Sequence, residues 1–186
     1  MQVGTGVVRV KEKSELALAA LFLEGSTGIE NTSLELALGT VLAKPKKLVK
    51  GESFLIKTPT AVAGVRGTML MVETSPSKDT RVEVVDGNVR VSKRIAALEN
   101  IENETVRESE LIRKLEVQVE ESAVTVTENR AVKVDAREVA RANTQVEKVV
   151  EAVVAVEEKK AEAPPVEVAK AVERIAAIQA LSLIHI

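Results

Sequence analysis

Through much of its first 134 positions the sequence alternates aliphatic and polar residues with a period of two. Such alternation is typical of β-strands that bury one face and expose the other. The alternating apolar residues are Val8 and Val10; Leu34, Leu36 and Leu38; Phe54 and Ile56; Leu70 and Val72; Val82 and Val84; Val89 and Val91; Leu115, Val117 and Val119; Val124 and Val126; and Val132 and Val134. The chain has 31 valines and only two aromatic residues, so its interior must use branched aliphatic side chains, which suit a pleated sheet. The sequence therefore predicts a mainly β fold, as a sandwich or a solenoid-like stack of short strands.

Turn-forming residues separate these segments, and one group gives a strong local signal. Asp86, Gly87 and Asn88 stand between TRVEVV and VRVS, and an Asp-Gly pair supplies the positive φ angles of a tight turn. We therefore expect a β-hairpin at Gly87. A short helix, from about Arg107 to Leu115, is expected to interrupt the strands.

The apolar period becomes helical after residue 134. A heptad seam is formed by Val139, Ala142, Val146, Val149, Val153 and Val156. Because Glu and Lys occupy the other faces, we predict an amphipathic helix over residues 135–160. The seam over 139–156 forms a homo-oligomeric coiled coil in one interpretation; in the other, the helix packs on the β domain or on a segment outside this sequence. Pro164 and Pro165 predict a linker over 161–167, followed by a second helix over 168–180.

The final six residues, LSLIHI, break the acidic composition that precedes them. They resemble the translation of a sequencing-adapter read-through, which contaminates the ends of metagenomic contigs. We therefore expect residues 181–186 to be non-native and the native chain to continue beyond about Ala180. The alternative is an ordinary apolar end of a helix.

The composition removes most catalytic chemistries. The chain has no cysteine, and its single histidine, His185, lies in the suspect tail, so thiolate nucleophiles, histidine bases and histidine metal sites are excluded. No glycine spacing matches a phosphate loop or a dinucleotide fingerprint. Paired carboxylates such as Glu120 and Glu121 are adjacent in sequence, which does not place them across a substrate. We expect no enzyme activity, no cofactor and no metal site.

Charge and hydropathy restrict the classes of partner and the cellular locations that are expected for this chain. A formal net charge of −2 provides no basic face for nucleic acid. Residues 1–95 carry 14 basic and 10 acidic side chains and residues 96–186 carry 12 and 18, which indicates a solvated acidic second half. The longest apolar run, Leu16 to Leu23, is too short to cross a bilayer. It would suit the apolar part of a secretory signal, but Glu12 and Glu15 disfavour that interpretation.

The segment from Lys50 to Glu73 is dense in conformationally restricted residues. Thr58 precedes a proline and is therefore expected to be extended, while Gly64 and Gly67 permit close approaches of the backbone. Arg66 lies between valine-rich segments, and we expect its guanidinium to bind backbone carbonyls at a strand turn. The alternative is a cation that faces a partner.

This segment, FLIKTPTAVAGVRGTMLMV, together with the following TRVEVVDGNVRVS, resembles the FecR-type domain of bacterial envelope proteins. The residues that match the family pattern are Thr58, Pro59, Ala61, Gly64, Val65, Arg66, Gly67, Thr68 and Gly87. The best match covers residues 34–92, and we predict a FecR-like all-β domain over 1–134. A structural role is expected for these motif residues.

The resemblance implies a domain that acts outside the cytoplasmic membrane. In the best-known members it receives a signal from an outer-membrane transporter and passes it to an anti-sigma region. Because this sequence contains no transmembrane segment, we expect a stand-alone, exported or lipid-anchored member in the periplasm or outer envelope. The expected function is a non-enzymatic binding or sensing module that binds a protein through strand edges or its basic half. A structural protein assembled by the heptad helix, with the β domain as a spacer, is the alternative.

Overall fold

The computed structural model describes residues 2–3, 6–23, 29–157 and 182–185. The chain folds into two compact units. We call the described residues within 1–94, 124–136 and 181–186 the β unit, and the described residues within 95–123 and 137–180 the helical unit. The predicted linker over 161–167 and the predicted helix over 168–180 lie outside the described residues.

The described strands form one sheet in which a single long strand passes through both halves. The strands are β1 (Gln2–Val3), β2 (Gly6–Val10), β3 (Glu15–Leu23), β4 (Glu30–Lys44), β5 (Ser53–Lys57), β6 (Ala61–Val65), β7 (Met69–Thr74), β8 (Thr80–Asp86), β9 (Asn88–Lys93), β10 (Val124–Thr127), β11 (Arg130–Val134) and β12 (Ser182–His185). The order is β10-β9-β6-β5-β4-β7-β8-β11-β12. The first part of β4 pairs with β3 and β5, and its last part pairs with β2 and β7. The β4–β5 pair is parallel, and the other described pairs are antiparallel.

Alternate residues of these strands fill the interior, which confirms the predicted mainly β fold. Leu34, Ile56 and Val82 are fully buried, whereas their sequence neighbours are more exposed. The period of two follows from the pleat, which points successive side chains to opposite faces. Two predicted inward residues, Val10 and Leu38, are instead 39% and 36% exposed. The sheet as a whole is nearly closed and barrel-like.

The apolar run from Leu16 to Leu23 lies in β3. Among the described strands β3 pairs with β4 alone. Leu18, Leu21 and Phe22 are 49%, 51% and 60% exposed. Natural sheets seldom leave a long apolar edge of this kind in water.

The predicted hairpin at Gly87 is wrong, although Gly87 does turn with a φ of 88°. Strand β8 pairs with β7 and β11, whereas β9 pairs with β6 and β10. The chain therefore crosses at Gly87 from one half of the sheet to the other. Strand pairing follows the burial of alternating faces along both strands, which local turn chemistry does not specify.

The helices of the helical unit precede and follow β10 and β11 in the sequence. They are α1 (Ala96–Glu99), α2 (Glu104–Glu108), α3 (Glu110–Glu121) and, from its second residue, α4 (Ala136–Glu157). The buried core consists of Ile95, Leu98, Ile101, Val106, Ile112, Leu115, Ala142, Val146, Val149 and Val153. The Asn143 amide oxygen accepts a hydrogen bond from the Ala97 N–H at 3.0 Å, which joins α1 to α4.

The predicted strand at Leu115, Val117 and Val119 is wrong, because these residues lie in α3. Ile112, Leu115 and Val119 are spaced by three and four residues, so the same side chains also satisfy a helical period. Ser109 begins this helix by accepting a hydrogen bond from the Ile112 N–H at 3.4 Å. Helices therefore interrupt the predicted β domain between residues 96 and 121, over a longer range than the short helix expected from about Arg107 to Leu115.

The long helix predicted over 135–160 corresponds to α4. Its seam residues Ala142, Val146 and Val149 are fully buried in the core that they share with Leu98 and Leu115. The seam thus contacts helices of the same chain. Assembly through this seam remains a prediction.

Candidate functional site

Three buried threonines hold the start of the motif. Thr58, Thr60 and Thr80 are at most 3% exposed, and the Thr80 hydroxyl oxygen lies 2.7 Å from those of both Thr58 and Thr60. The Thr58 oxygen also accepts a hydrogen bond from the Ala61 N–H at 2.8 Å, and Thr60 donates to the Lys78 carbonyl at 2.9 Å. A buried hydroxyl is stable when it is hydrogen-bonded in this way. This threonine cluster fixes the turn between β5 and β6.

An arginine ties this turn to the sheet, but it is Arg94 and not Arg66. The Arg94 guanidinium donates to the Thr58 carbonyl at 3.2 Å and to the Glu35 carboxylate at 3.0 Å. Its backbone N–H donates to the Thr60 carbonyl at 2.9 Å. Sequence patterns did not identify Arg94, because it lies 36 residues from Thr58 and outside the recognised motif.

Arg66 is exposed at the end of β6. Its side chain forms no hydrogen bond or ion pair with any residue that the structure describes. It follows the end of β6 at Val65, where the chain bends before β7. The hydrogen bonds expected from Arg66 to backbone carbonyls are therefore not found among the described residues, whereas Arg94 binds the Thr58 carbonyl.

The bend after Arg66 depends on a close approach of two backbones. Gly67 has a φ of 70°, and a Cβ placed there would lie 2.7 Å from the Lys47 Cα. The next residue, Thr68, is 1% exposed and donates to the Asn88 carbonyl at 2.9 Å. A Cβ at Gly87 would approach the Thr68 hydroxyl to 3.1 Å. The motif residues Gly67, Thr68 and Gly87 thus fix the path of the backbone that follows Arg66.

The other motif residues divide between the core and the outer face. Ala61 and Val65 are buried at 1% and 2% exposure. Pro59 occupies the turn fixed by the threonine cluster and is partly exposed. Gly64 lies between the buried residues Ala63 and Val65 of β6 and faces outward, with Arg66 nearby in sequence.

A groove of about 450 Å³ opens on this outer face. We call it the Arg66 groove; its lining includes Phe54, Leu55, Gly64, Val65, Arg66 and Arg90. Gly64 is in register with Leu55 on one side and Arg90 on the other, so these three residues share one face of the sheet. The groove therefore combines apolar surface with two guanidinium groups.

One carboxylate, Glu52, also lines the groove, and it is already bound. The Lys46 ammonium donates to it at 2.8 Å and the Val49 N–H at 2.9 Å. The hydrogen bond from Lys46, followed by that from the Val49 N–H, holds the pKa of Glu52 below its ordinary value. The same hydrogen bond to Glu52 raises the pKa of Lys46. Glu52 is thus oriented by these two donors.

The described part of the chain offers neither a metal centre nor a membrane-spanning helix. No group of three or more His, Cys, Asp or Glu side chains there could hold a metal ion. None of the described helices is both long and apolar enough to span a membrane.

Comparison with known proteins agrees with the motif. The family model described as FecR protein matches residues 4–90, a range that contains the threonine cluster residues, Arg66 and Gly87. The chain contains a FecR domain. The FecR family is associated with the bacterial cell envelope. No curated protein sequence matches the chain.

Two crystal structures of a proposed anti-sigma factor from Parabacteroides distasonis ATCC 8503 are similar in part. The first, at 1.65 Å resolution, has 16% sequence identity and a TM-score of 0.43, and the alignment covers 75% of this chain and 56% of that one. The second, at 2.50 Å, has 15% identity and a TM-score of 0.38, with coverages of 75% and 65%. This chain thus spans less than two thirds of the length of either structure.

Proposed function

We propose that this FecR-domain chain is a non-enzymatic sensing or regulatory module of the bacterial cell envelope that acts by binding another protein. The observation that carries the proposal is the FecR domain itself, together with Arg66. A hydrogen-bonded scaffold presents this arginine to solvent, without a partner among the described residues. Charged residues held at fixed positions favour specific protein recognition.

The scaffold supports this proposal because it reduces the conformational entropy that the chain loses when it binds a partner. The threonine cluster and the Thr68–Asn88 hydrogen bond restrict the two ends of β6 before any partner arrives. A preformed surface loses less conformational freedom on binding than a flexible one. The proposed location is the periplasm or the outer envelope.

Chemical cross-linking in intact cells of the source bacterium tests the function and the location together. A membrane-impermeant, lysine-reactive cross-linker should reach exposed Lys47 and Lys50 and join the chain to a second envelope protein. Cells lysed before the reagent is added are the control for accessibility. A chain that reacts only after lysis would contradict the proposed location, and a fully accessible chain without adducts would contradict the proposed function.

The structural alternative predicts adducts between copies of the chain. It would use the heptad seam, whose Ala142, Val146 and Val149 are already buried within the helical unit. Assembly through the seam would therefore require this core to open. Sedimentation of the full chain supports the alternative if it shows a defined dimer or trimer, and removes it if it shows a monomer.

A further inference from the structure

We propose that the Arg66 groove binds a carboxylate side chain from an acidic, partly aliphatic peptide segment of the protein partner. The inference rests on the proposed function, for which it names the contact surface and the chemistry of the ligand. It depends on three properties of the groove: its shape, its charge and its apolar floor.

The shape depends on a glycine for which the fold itself has no evident need. Gly64 is the residue before the last in β6 and has no positive φ. A Cβ built there would come no closer than 3.8 Å to the Arg90 carbonyl or the Leu55 side chain, which is ordinary contact. Glycine inside a strand weakens the strand because it gains no packing and loses more entropy. What Gly64 does provide is a depression on the outer face of the sheet.

The charge of the groove favours an anion. Arg66 and Arg90 are both exposed at its lining, and Arg66 has no partner among the described residues. The carboxylate of Glu52 is engaged by Lys46 and by the Val49 N–H. Guanidinium groups donate two parallel hydrogen bonds to a carboxylate, which fixes the orientation of the acidic group.

The apolar floor distinguishes a peptide side chain from a small inorganic anion. Leu55 is half-buried on the face that Gly64 opens, and Phe54 and Val65 also border the groove. A glutamate has methylene groups that can cover this surface while its carboxylate reaches Arg66. Phosphate has no such apolar part, so we expect it to compete weakly.

The test uses the full chain and a fluorescein-labelled peptide of alternating leucine and glutamate, with a leucine–glutamine peptide as the matched probe. We expect saturable anisotropy with the acidic peptide, and NMR shift changes concentrated at Gly64, Arg66 and Arg90. Arg66→Gln should weaken binding about ten-fold, as expected for a charge-assisted hydrogen bond. The control is Arg9→Gln, which removes another exposed arginine, in β2 and outside the lining of the groove, and should change affinity by less than about two-fold.

A second variant tests the depression itself. Gly64→Val should fill it, leave the melting temperature equal or higher, and weaken the acidic peptide about ten-fold. The proposal would be overturned if both peptides bound equally, or if Arg9→Gln weakened binding as much as Arg66→Gln does. It would also be overturned if Gly64→Val bound the acidic peptide fully, or if inorganic phosphate competed at the concentration of the peptide. If a cross-linked envelope partner is retained while the acidic peptide fails to bind, the groove inference fails and the proposed function stands. If the acidic peptide binds but no cellular partner is found, the groove inference stands and the proposed function fails.

Discussion

The β unit and the helical unit both have aliphatic cores, and they differ in the polar side chains that supplement those cores. In the β unit, specific hydrogen bonds join distant residues, such as Thr58 with Thr80 and Arg94 with Glu35, which are 22 and 59 residues apart. In the helical unit, the core consists of aliphatic side chains at helical spacing. The family match ends at residue 90, before the helical unit begins at 95. A motif of particular polar residues and glycines is recognisable in sequence, whereas apolar spacing is shared by many unrelated helices.

A matched pair of cavity-forming substitutions tests the division into two units. Ile56→Ala in the β unit and Leu115→Ala in the helical unit each remove a fully buried side chain. Each should lower the free energy of unfolding of its own unit by about 2–5 kcal/mol, because the remaining side chains do not close the cavity. Native-state hydrogen exchange measures this unit by unit. Equal loss of protection in both units from either substitution would contradict the division.

The bend at Gly67 provides the next largest expected effect. Gly67→Ala places a Cβ 2.7 Å from the Lys47 Cα and forces a non-glycine residue to adopt a φ of 70°. We expect a loss of about 1–3 kcal/mol in the stability of the β unit, measured by denaturant unfolding. Gly64→Ala is the control and should be neutral or stabilising, since the added Cβ has room. Similar losses from both substitutions would show that glycine flexibility, and not the close approach, is what matters.

Acid should affect the β unit more than the helical unit. In the β unit, Lys46 lowers the pKa of Glu52, and the Ala136 N–H, followed by Lys133, lowers the pKa of Asp79. A carboxylate whose folded pKa lies below its unfolded value stabilises the fold fully above the unfolded pKa, and this contribution disappears as the pH falls through the folded pKa. We therefore expect stability to decrease below about pH 4.5.

Glu52→Gln measures the size of this effect. The variant should be less stable than the natural protein at pH 7, and its melting temperature should fall less between pH 5 and pH 3, because it has one carboxylate fewer to protonate. Glu110→Gln in the helical unit is the control: Lys114 lowers the pKa of Glu110, but this pair is largely exposed, so little change is expected. Identical acid profiles for the Glu52→Gln variant and the natural protein would contradict this assignment.

The sequence predicted those parts of the fold that a local period determines. Alternation places Phe54, Ile56 and Val82 inside the sheet, and a heptad spacing identifies the extent of α4 within a few residues. Leu115 and Val119 fit both the two-residue period of a strand and the spacing of a helix, so the pattern alone could not separate strand from helix. Helical propensity of the neighbouring Glu, Lys and Gln residues would have favoured the helix.

Contacts between distant residues were beyond the reach of sequence patterns. Gly87 does turn, but which strands pair around it depends on the whole sheet. Arg66 stands inside the recognised motif and Arg94 outside it, yet Arg94 is the arginine that binds the Thr58 carbonyl. Arg94 directly follows β9, and its backbone N–H donates to the Thr60 carbonyl of the motif. This contact is known only once the pairing of the strands is known.

The most direct measurement compares the unfolding free energies of Arg66→Gln and Arg94→Gln. Arg94→Gln removes charge-assisted hydrogen bonds to Thr58 and Glu35 and should destabilise the β unit by about 1–3 kcal/mol. Arg66→Gln should change the unfolding free energy by less than about 0.5 kcal/mol, because Arg66 is exposed and has no partner in the part of the chain that the structure describes. A loss at Arg66 equal to that at Arg94 would contradict the account, because Arg66 would then be part of the scaffold and not a surface presented for binding.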